Sequence, residues 1–298
     1  MLVGFNRPDT TAQVFDAIRA AAPPKLYVAV DGPRAGRPDD EELRKQVIAV
    51  VSDVDWECEV HTKFEPENLG CRQAVAEAIG WMLDAEGEGI ILEDDTLPAP
   101  SFFSWCDDML ERHRTDERVN VISGYNPVVG TIGEADLGFA SFPMIWGWAT
   151  WKRVWDDYDV ALADHSDAAL TLPPVVAKSR QATAFWMDRF ASIRDGSVDT
   201  WDYQVVHQMW RQRALAAYPA ESLVVNLGFR DDATHTDMAP PRHVRETVLG
   251  SYQSGTALAA PATSVELTPG LDAKLQERFF GLGLIPAVRG LAARLLRR

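Results

Sequence analysis

The stretch Gly89–Phe103 reads GIILEDDTLPAPSFF. Ile90, Ile91 and Leu92 form an apolar run that stops on three consecutive acids, Glu93, Asp94 and Asp95, before Pro98 and Pro100. The pattern predicts a buried strand ending at a turn. Three adjacent carboxylates repel one another unless something positive sits among them. A solvated turn does not explain so abrupt a junction. A calcium loop would need oxygen ligands alternating over about twelve residues, which the prolines disrupt. A divalent cation held by one or two carboxylates, and completed by ligand phosphates and water, suits the stretch best. Such a cation would also offset the charge on a diphosphate leaving group.

Upstream, strand and helix alternate. LVGF is a short strand, and DTTAQVFDAIRAA a helix with Asp9 or Thr10 as its expected N-cap. KLYVAV is a strand closed by the turn DGPRAG, and DEELRKQVIAVVSDV is a helix leading to the strand ECEVHTKF. NLG then opens the helix CRQAVAEAIGWMLDA, which leads back to the strand that ends on the acids. This alternation implies an α/β fold with a mostly parallel sheet flanked by helices. Ligands of such sheets bind beyond the carboxyl ends of the strands. Arg7, Asp31 and the acid triplet all fall at predicted strand ends, so they can share one crevice.

Downstream the regularity fades. FFSWCDDMLERHR reads as a helix and VNVISGY as a strand; a glycine-bearing loop then precedes FASFPMIWGWATWKRVWDDYD. TWDYQVVHQMWRQRAL is a helix with Thr200 as expected N-cap, and SLVVNLGF is a last strand before the polar loop RDDATHTD. Residues 240–269 read as loop or linker.

Composition narrows the function classes. The chain has 298 residues, 46% of them hydrophobic, which is enough for a sizeable core. Its formal net charge of −15 argues against nucleic acid as a partner. Cys58, Cys71 and Cys106 are odd in number and lack CxxC spacing, which favours a reducing cytosol over a disulfide framework or a zinc site. No signal peptide and no run of about 18 apolar residues is evident. Ten tryptophans are many, and Trp146, Trp148, Trp151 and Trp155 crowd one segment. Half of the ten suit a core, and aromatic faces beside a polar cleft also suit a sugar ring.

FNRP, DGPR, NLGCR, LEDD, WGWATW, WDYQ and ATHT occur in that order. Together they resemble the GT-A glycosyltransferases, in particular a bacterial group of nucleotide-diphospho-sugar transferases of family-2 type. The chain is more distantly similar to the N-acetylglucosaminyltransferases of N-glycan synthesis, which share the EDD and a helix start like APSFF. The resemblance covers residues 1–238. It implies a Rossmann-like nucleotide-binding half over 1–100 and a mixed-sheet acceptor half over 101–238. It also implies a nucleotide-sugar donor, Mn2+ or Mg2+, and a glycan or lipid-linked acceptor.

Carried over by motif, the resemblance implies that Arg7 and Asp31 face the nucleotide. Arg72 would approach the base or phosphates with help from its helix N-terminus. Asp95 would bind the metal, Asp94 would contact ribose or a metal-bound water, and Glu93 would stand behind them. The WGWATW segment would form the floor between donor sugar and acceptor, with Gly147 allowing close backbone approach and Trp148 binding the donor. Asp202 would be the general base, and the relatives' paired acids are here Asp202 followed by Tyr203. His235, in the loop ATHT, would close over the diphosphate or supply a ligand. Arg7 as an ordinary ion-pair partner and Asp31 as an ordinary turn residue remain open alternatives. Asp156, Asp157 and Asp159 of WDDYD read as a solvated helix end, and His207 as a packed histidine. A pyrophosphorylase would carry a glycine-rich loop after the first strand, where this chain has FNRPDTT. A non-catalytic binding protein would keep the crevice without turnover.

Residues 239–298 read as a linker followed by a basic amphipathic helix. Its tail, FFGLGLIPAVRGLAARLLRR, holds four arginines and no acid. Two expectations stand side by side. One is a helix docked on the domain; the other is peripheral contact of 279–298 with the anionic inner face of the plasma membrane.

Overall fold

Strand and helix alternate through the first hundred residues: β1 (Leu2–Gly4), α1 (Pro8–Ala21), β2 (Lys25–Val30), α2 (Pro38–Ser52), β3 (Glu59–Phe64), α3 (Cys71–Glu86) and β4 (Glu88–Glu93). The computed structural model describes residues 1–132, 137–163, 166–229, 241–254 and 264–282. α1 begins one residue earlier than expected, with Pro8 at its first position and Arg7, not Asp9 or Thr10, as N-cap. Proline suits that position because its missing N–H would have no helical partner. Thr10 and Thr11 instead turn their hydroxyls back to the Arg7 carbonyl at 3.4 and 2.6 Å.

The remaining strands are β5 (Thr96–Pro98), β6 (Val119–Ser123), β7 (Leu137–Ala140), β8 (Trp148–Trp151), β9 (Leu215–Pro219) and β10 (Val224–Asn226). The longer helices are α4 (Ser101–His113), α7 (Arg180–Arg194), α8 (Asp202–Gln212) and α10 (Leu271–Arg278), with short turns α5 (Lys152–Trp155), α6 (Pro174–Ala177) and α9 (Arg242–Glu246). Thr200 does not cap α8: Trp201 stands at the N-cap, and the Thr200 hydroxyl donates to Asp202.

Eight strands form one sheet in the order β3-β2-β1-β4-β8-β6-β9-β7. β1, β2, β3 and β4 pair in parallel, as do β6 and β9. β8 runs antiparallel between β4 and β6, and β7 antiparallel to β9. The fold is therefore α/β, with a large, mostly parallel mixed sheet flanked by helices, compatible with a Rossmann-like arrangement. β5 and β10 form a separate antiparallel ribbon beside the acid turn.

The core runs through both halves. Trp105, Trp148, Trp186 and Trp210 are all fully buried. Trp105 and Trp210 donate their indole N–H groups to the carbonyls of Ser123 and Ser141 at 3.0 and 2.8 Å. Truncating a tryptophan of this kind to alanine costs about 3–5 kcal/mol.

The chain after residue 238 is not simply a linker. Leu271 and Leu275 of α10 are fully buried, and Asp272 accepts from the backbone N–H of Ser141 at 2.8 Å. Phe279 and Phe280 pack on Trp146 and Trp186. Residues 264–282 thus pack against described residues of the body before 230, among them Ser141, Trp146 and Trp186. Residues 283–298, which carry the four tail arginines, lie outside the described residues, as does His235. No described helix is long and apolar enough to cross a membrane.

Candidate active site at the strand ends

The carboxyl ends of β1, β2 and β4 open into a crevice of about 350 Å³. Arg7, Asp31, Glu93, Asp94 and Asp95 all line it, joined by Phe5, Arg34, Asn68, Trp146, Asp199 and Gly228. Residues nearly ninety positions apart in sequence meet here because β1 and β4 are neighbours in the sheet.

The acid turn is built first from its own backbone. Thr96 Oγ1 accepts from the Glu93 N–H at 2.9 Å and donates to the Glu93 carbonyl at 3.0 Å. Asp94 Oδ2 accepts from the Phe5 N–H at 3.1 Å, which fastens the turn to the end of β1. Across it lies Arg7, whose Nη1 stands 2.5 Å from Asp95 Oδ2 and 3.7 Å from Asp94 Oδ1. The positive group that the acids require is therefore present in the chain itself.

One guanidinium serves three carboxylates, and the balance stays negative. Burial, and then the charges of Asp95 and Asp94, push Glu93 well above the usual carboxylate range. Burial and then Asp95 push Asp94 up to about 7. Burial also raises Asp95, although Arg7 opposes the shift. For Arg7, burial works against the charge, and Asp94 and Asp95 outweigh it. Gly228 closes the other side. A Cβ there would lie 2.1 Å from Asp95 Oδ2, so a larger residue would push on the carboxylate that Arg7 holds.

Among the described residues, no three His, Cys, Asp or Glu side chains are arranged to enclose a metal alone. Mg2+ and Mn2+ do not need such a cage, since phosphates and water complete their shells. A crowded, over-negative carboxylate set beside an open crevice fits a cation of that kind, with Asp95 to hold it and Asp94 and Glu93 beside it.

Asp31 binds its own surroundings. Oδ1 accepts from the N–H groups of Gly32 and Leu69 at 2.8 and 2.9 Å, and Oδ2 from Asn68 at 2.8 Å. Burial raises its pKa, and those backbone donors oppose the rise. Arg34 was not singled out in sequence, yet it lines the crevice over the Phe5 ring at 5.3 Å. Asp40 grips its Nε and Nη2 at 2.6 and 2.8 Å, and this hydrogen bonding lowers the Asp40 pKa to about 2. The signal was available in DGPR followed by an acid six residues after the arginine.

Three expected placements need correction. Trp148 is 1% exposed and stacks on Trp201 inside the core; Trp146, two residues earlier, is the tryptophan on the crevice wall. Trp148 opens β8, all four of whose residues are buried, whereas Trp146 precedes the strand and is half-buried. Arg72 does not line the crevice; its Nη1 donates to the Ile193 carbonyl at 3.3 Å. The α3 N-terminus is not open to a phosphate either, since Asp199 accepts from the N–H groups of Cys71 and Arg72 at 3.0 and 3.2 Å.

Asp202, the first residue of α8, borders a smaller cavity of about 50 Å³ with Trp186 and Phe280. Trp146 lines both cavities and stands between them. Asp202 Oδ1 accepts from Thr200 Oγ1 at 2.5 Å and from the Tyr203 N–H at 2.9 Å. The Asp202 charge also helps to raise Glu93, so the two carboxylates share one electrostatic neighbourhood. Compared with models of known protein families and with curated protein sequences, the chain matches none.

Proposed function

We propose that the chain is a metal-dependent glycosyltransferase of GT-A type, moving a sugar from a nucleotide-diphosphate donor to an acceptor hydroxyl with inversion. The observation that carries this reading is the acid turn: three carboxylates, Asp94 buried and Glu93 and Asp95 half-buried, around one guanidinium, at the strand ends where α/β sheets bind their ligands. The order of the seven sequence motifs supports it.

Bound at Asp95, Mn2+ or Mg2+ would supply charge that stabilises the departing diphosphate. The chain's own residues do the rest. Arg7, fixed at the N-cap of α1, adds a second positive group at the same place. Asp31 and Asn68 stiffen the wall that faces ribose and base, and Arg34 offers a guanidinium held in one pose by Asp40. Trp146 presents an aromatic edge between donor and acceptor spaces. Asp202 takes the proton from the acceptor hydroxyl as the glycosidic bond forms. A glycan or lipid-linked acceptor, met at the inner face of the plasma membrane, fits this reading.

Nucleotide sugars screened by thermal shift, with and without manganese, test the reading, followed by donor hydrolysis with the best binder. Asp202→Asn is expected to keep donor affinity and to lose about 10²–10⁴-fold in rate, roughly 3–5 kcal/mol of barrier. A fall of less than about tenfold places the base elsewhere. Binding without turnover by the unaltered protein removes the enzyme reading.

A further inference from the structure

α3 starts in an unusual way. Its N-cap is Gly70, which has no side chain to satisfy the free N–H groups of the first turn. The partner comes from 128 positions away: Asp199 Oδ2 accepts from the Cys71 N–H, and Oδ1 from the Arg72 N–H. The Arg72 side chain follows the same route, with Nε 3.8 Å from Asp199 Oδ1 and Nη1 on the Ile193 carbonyl in the last turn of α7. Glycine is needed at 70 for this docking. Its φ is +82°, and a Cβ there would meet Asp199 Oδ2 at 2.7 Å.

Asp199 opens a four-residue segment, Asp199–Asp202, that is tied down at every position. The Thr200 carbonyl accepts from Gln204 at 2.7 Å, and its hydroxyl donates to Asp202. The Trp201 carbonyl accepts from the Tyr158 hydroxyl at 2.9 Å, and its ring stacks on Trp148. These ties run within the half of the molecule after residue 100. The Asp199 tie crosses to α3, and its carboxylate lines the main crevice. A helix N-terminus favours a carboxylate, so the crossing is electrostatically sound even though the Asp199 side chain is 53% exposed.

We propose that Asp199 is a positioning residue: it latches the segment carrying Asp202 onto the N-terminus of α3 and so fixes the acceptor-side wall of the crevice. Its catalytic meaning rests on Asp202 acting as the general base. The latch sets where Asp202 stands relative to Trp146 and the acid turn, and it leaves the donor's contacts at the strand ends untouched. The Cys71 and Arg72 N–H groups are already taken by Asp199, which leaves Arg7 and Arg34 as the crevice-lining cationic side chains, among the described residues, for the donor phosphates.

Hydrogen exchange on the full chain tests the latch directly, comparing the unaltered protein with Asp199→Ala and Asp199→Asn. In Asp199→Ala, exchange over residues 71–73 and 198–204 is expected to rise by about tenfold or more, with β2 unchanged. Asparagine keeps one acceptor oxygen, so Asp199→Asn should fall between; it carries the test alone if the alanine variant does not fold. With manganese and the best-binding nucleotide sugar, the hydrolysis rate should fall by about tenfold while nucleoside diphosphate affinity moves less than about threefold. Exchange within about twofold of the unaltered protein at both segments overturns the latch. Rate and affinity falling by the same factor overturn the positioning role and make Asp199 a ligand contact. If exchange responds but no variant binds a nucleotide sugar, the latch stands and the glycosyl-transfer reading is what fails.

Discussion

Glu93-Asp94-Asp95 and Asp156-Asp157-x-Asp159 look alike as text, and the fold treats them in opposite ways. The first cluster, with Asp94 buried and Glu93 and Asp95 half-buried, surrounds a shared guanidinium, and its pKa values rise. In the second, Asp156 is exposed beside Lys152, Asp157 is bound by Arg211 and Gln212, and Asp159 accepts from the Ala161 N–H. Charge in the second cluster is matched locally and solvated. Charge in the first exceeds its counter-charge and is partly withdrawn from water, which is costly unless a ligand shares it. Burial without enough counter-charge, not acid content, separates a candidate site from a surface turn.

The contrast can be broken or sharpened by substitution. The largest effect is expected from Asp95→Ala, which should weaken manganese-dependent binding of a nucleoside diphosphate by about 100-fold or more, roughly 3 kcal/mol. Calorimetric titration with and without Mn2+ reads it, and undiminished metal-dependent affinity would break the contrast at its strongest point. Asp40 is the intermediate case, a buried acid with a guanidinium of its own. Its folded pKa lies near 2, below the ordinary 3.8, so its stabilisation is complete above about pH 4 and is lost as pH falls toward 2. Asp40→Asn should therefore cost about 2 kcal/mol at pH 7, and the two proteins' unfolding curves should converge near pH 2. A constant gap across that range would show that packing, not ionisation, is what Asp40 contributes. The smallest effect is expected at Asp156→Ala: stability within about 0.5 kcal/mol in urea and unaltered Mn2+ binding.

How much was legible in the sequence follows from how far each contact reaches along it. The first four strands and three helices were readable because each is set by local periodicity and a nearby turn. The convergence of Arg7, Asp31 and the acid triplet followed from one rule about strand ends. The insertion of β8 between β4 and β6 was not readable, since antiparallel pairing of Ile91 with Trp148 leaves no local mark. The same gap explains the tryptophans: which of Trp146 and Trp148 faces the crevice depends on a strand start that periodicity does not fix. Arg72 misled because a helix N-terminus after NLG looks open to phosphate until Asp199 arrives from another part of the chain. Phe279 and Phe280 looked like the start of a tail, and only packing against Trp146 and Trp186 shows them to be core.

The antiparallel ladder between β4 and β8 has a consequence for any attempt to divide this protein. A fragment ending near residue 100 would contain β1 to β4 with their parallel pairing intact. Its β4 would nevertheless become an edge, because Glu88, Gly89, Ile90 and Ile91 pair with Trp151, Thr150, Ala149 and Trp148. That edge would display unpaired backbone groups along an apolar strand, with no proline or lysine in it to deter a second chain. Such a fragment should self-associate through β4, and β8 acts in the whole protein as the cover that prevents it.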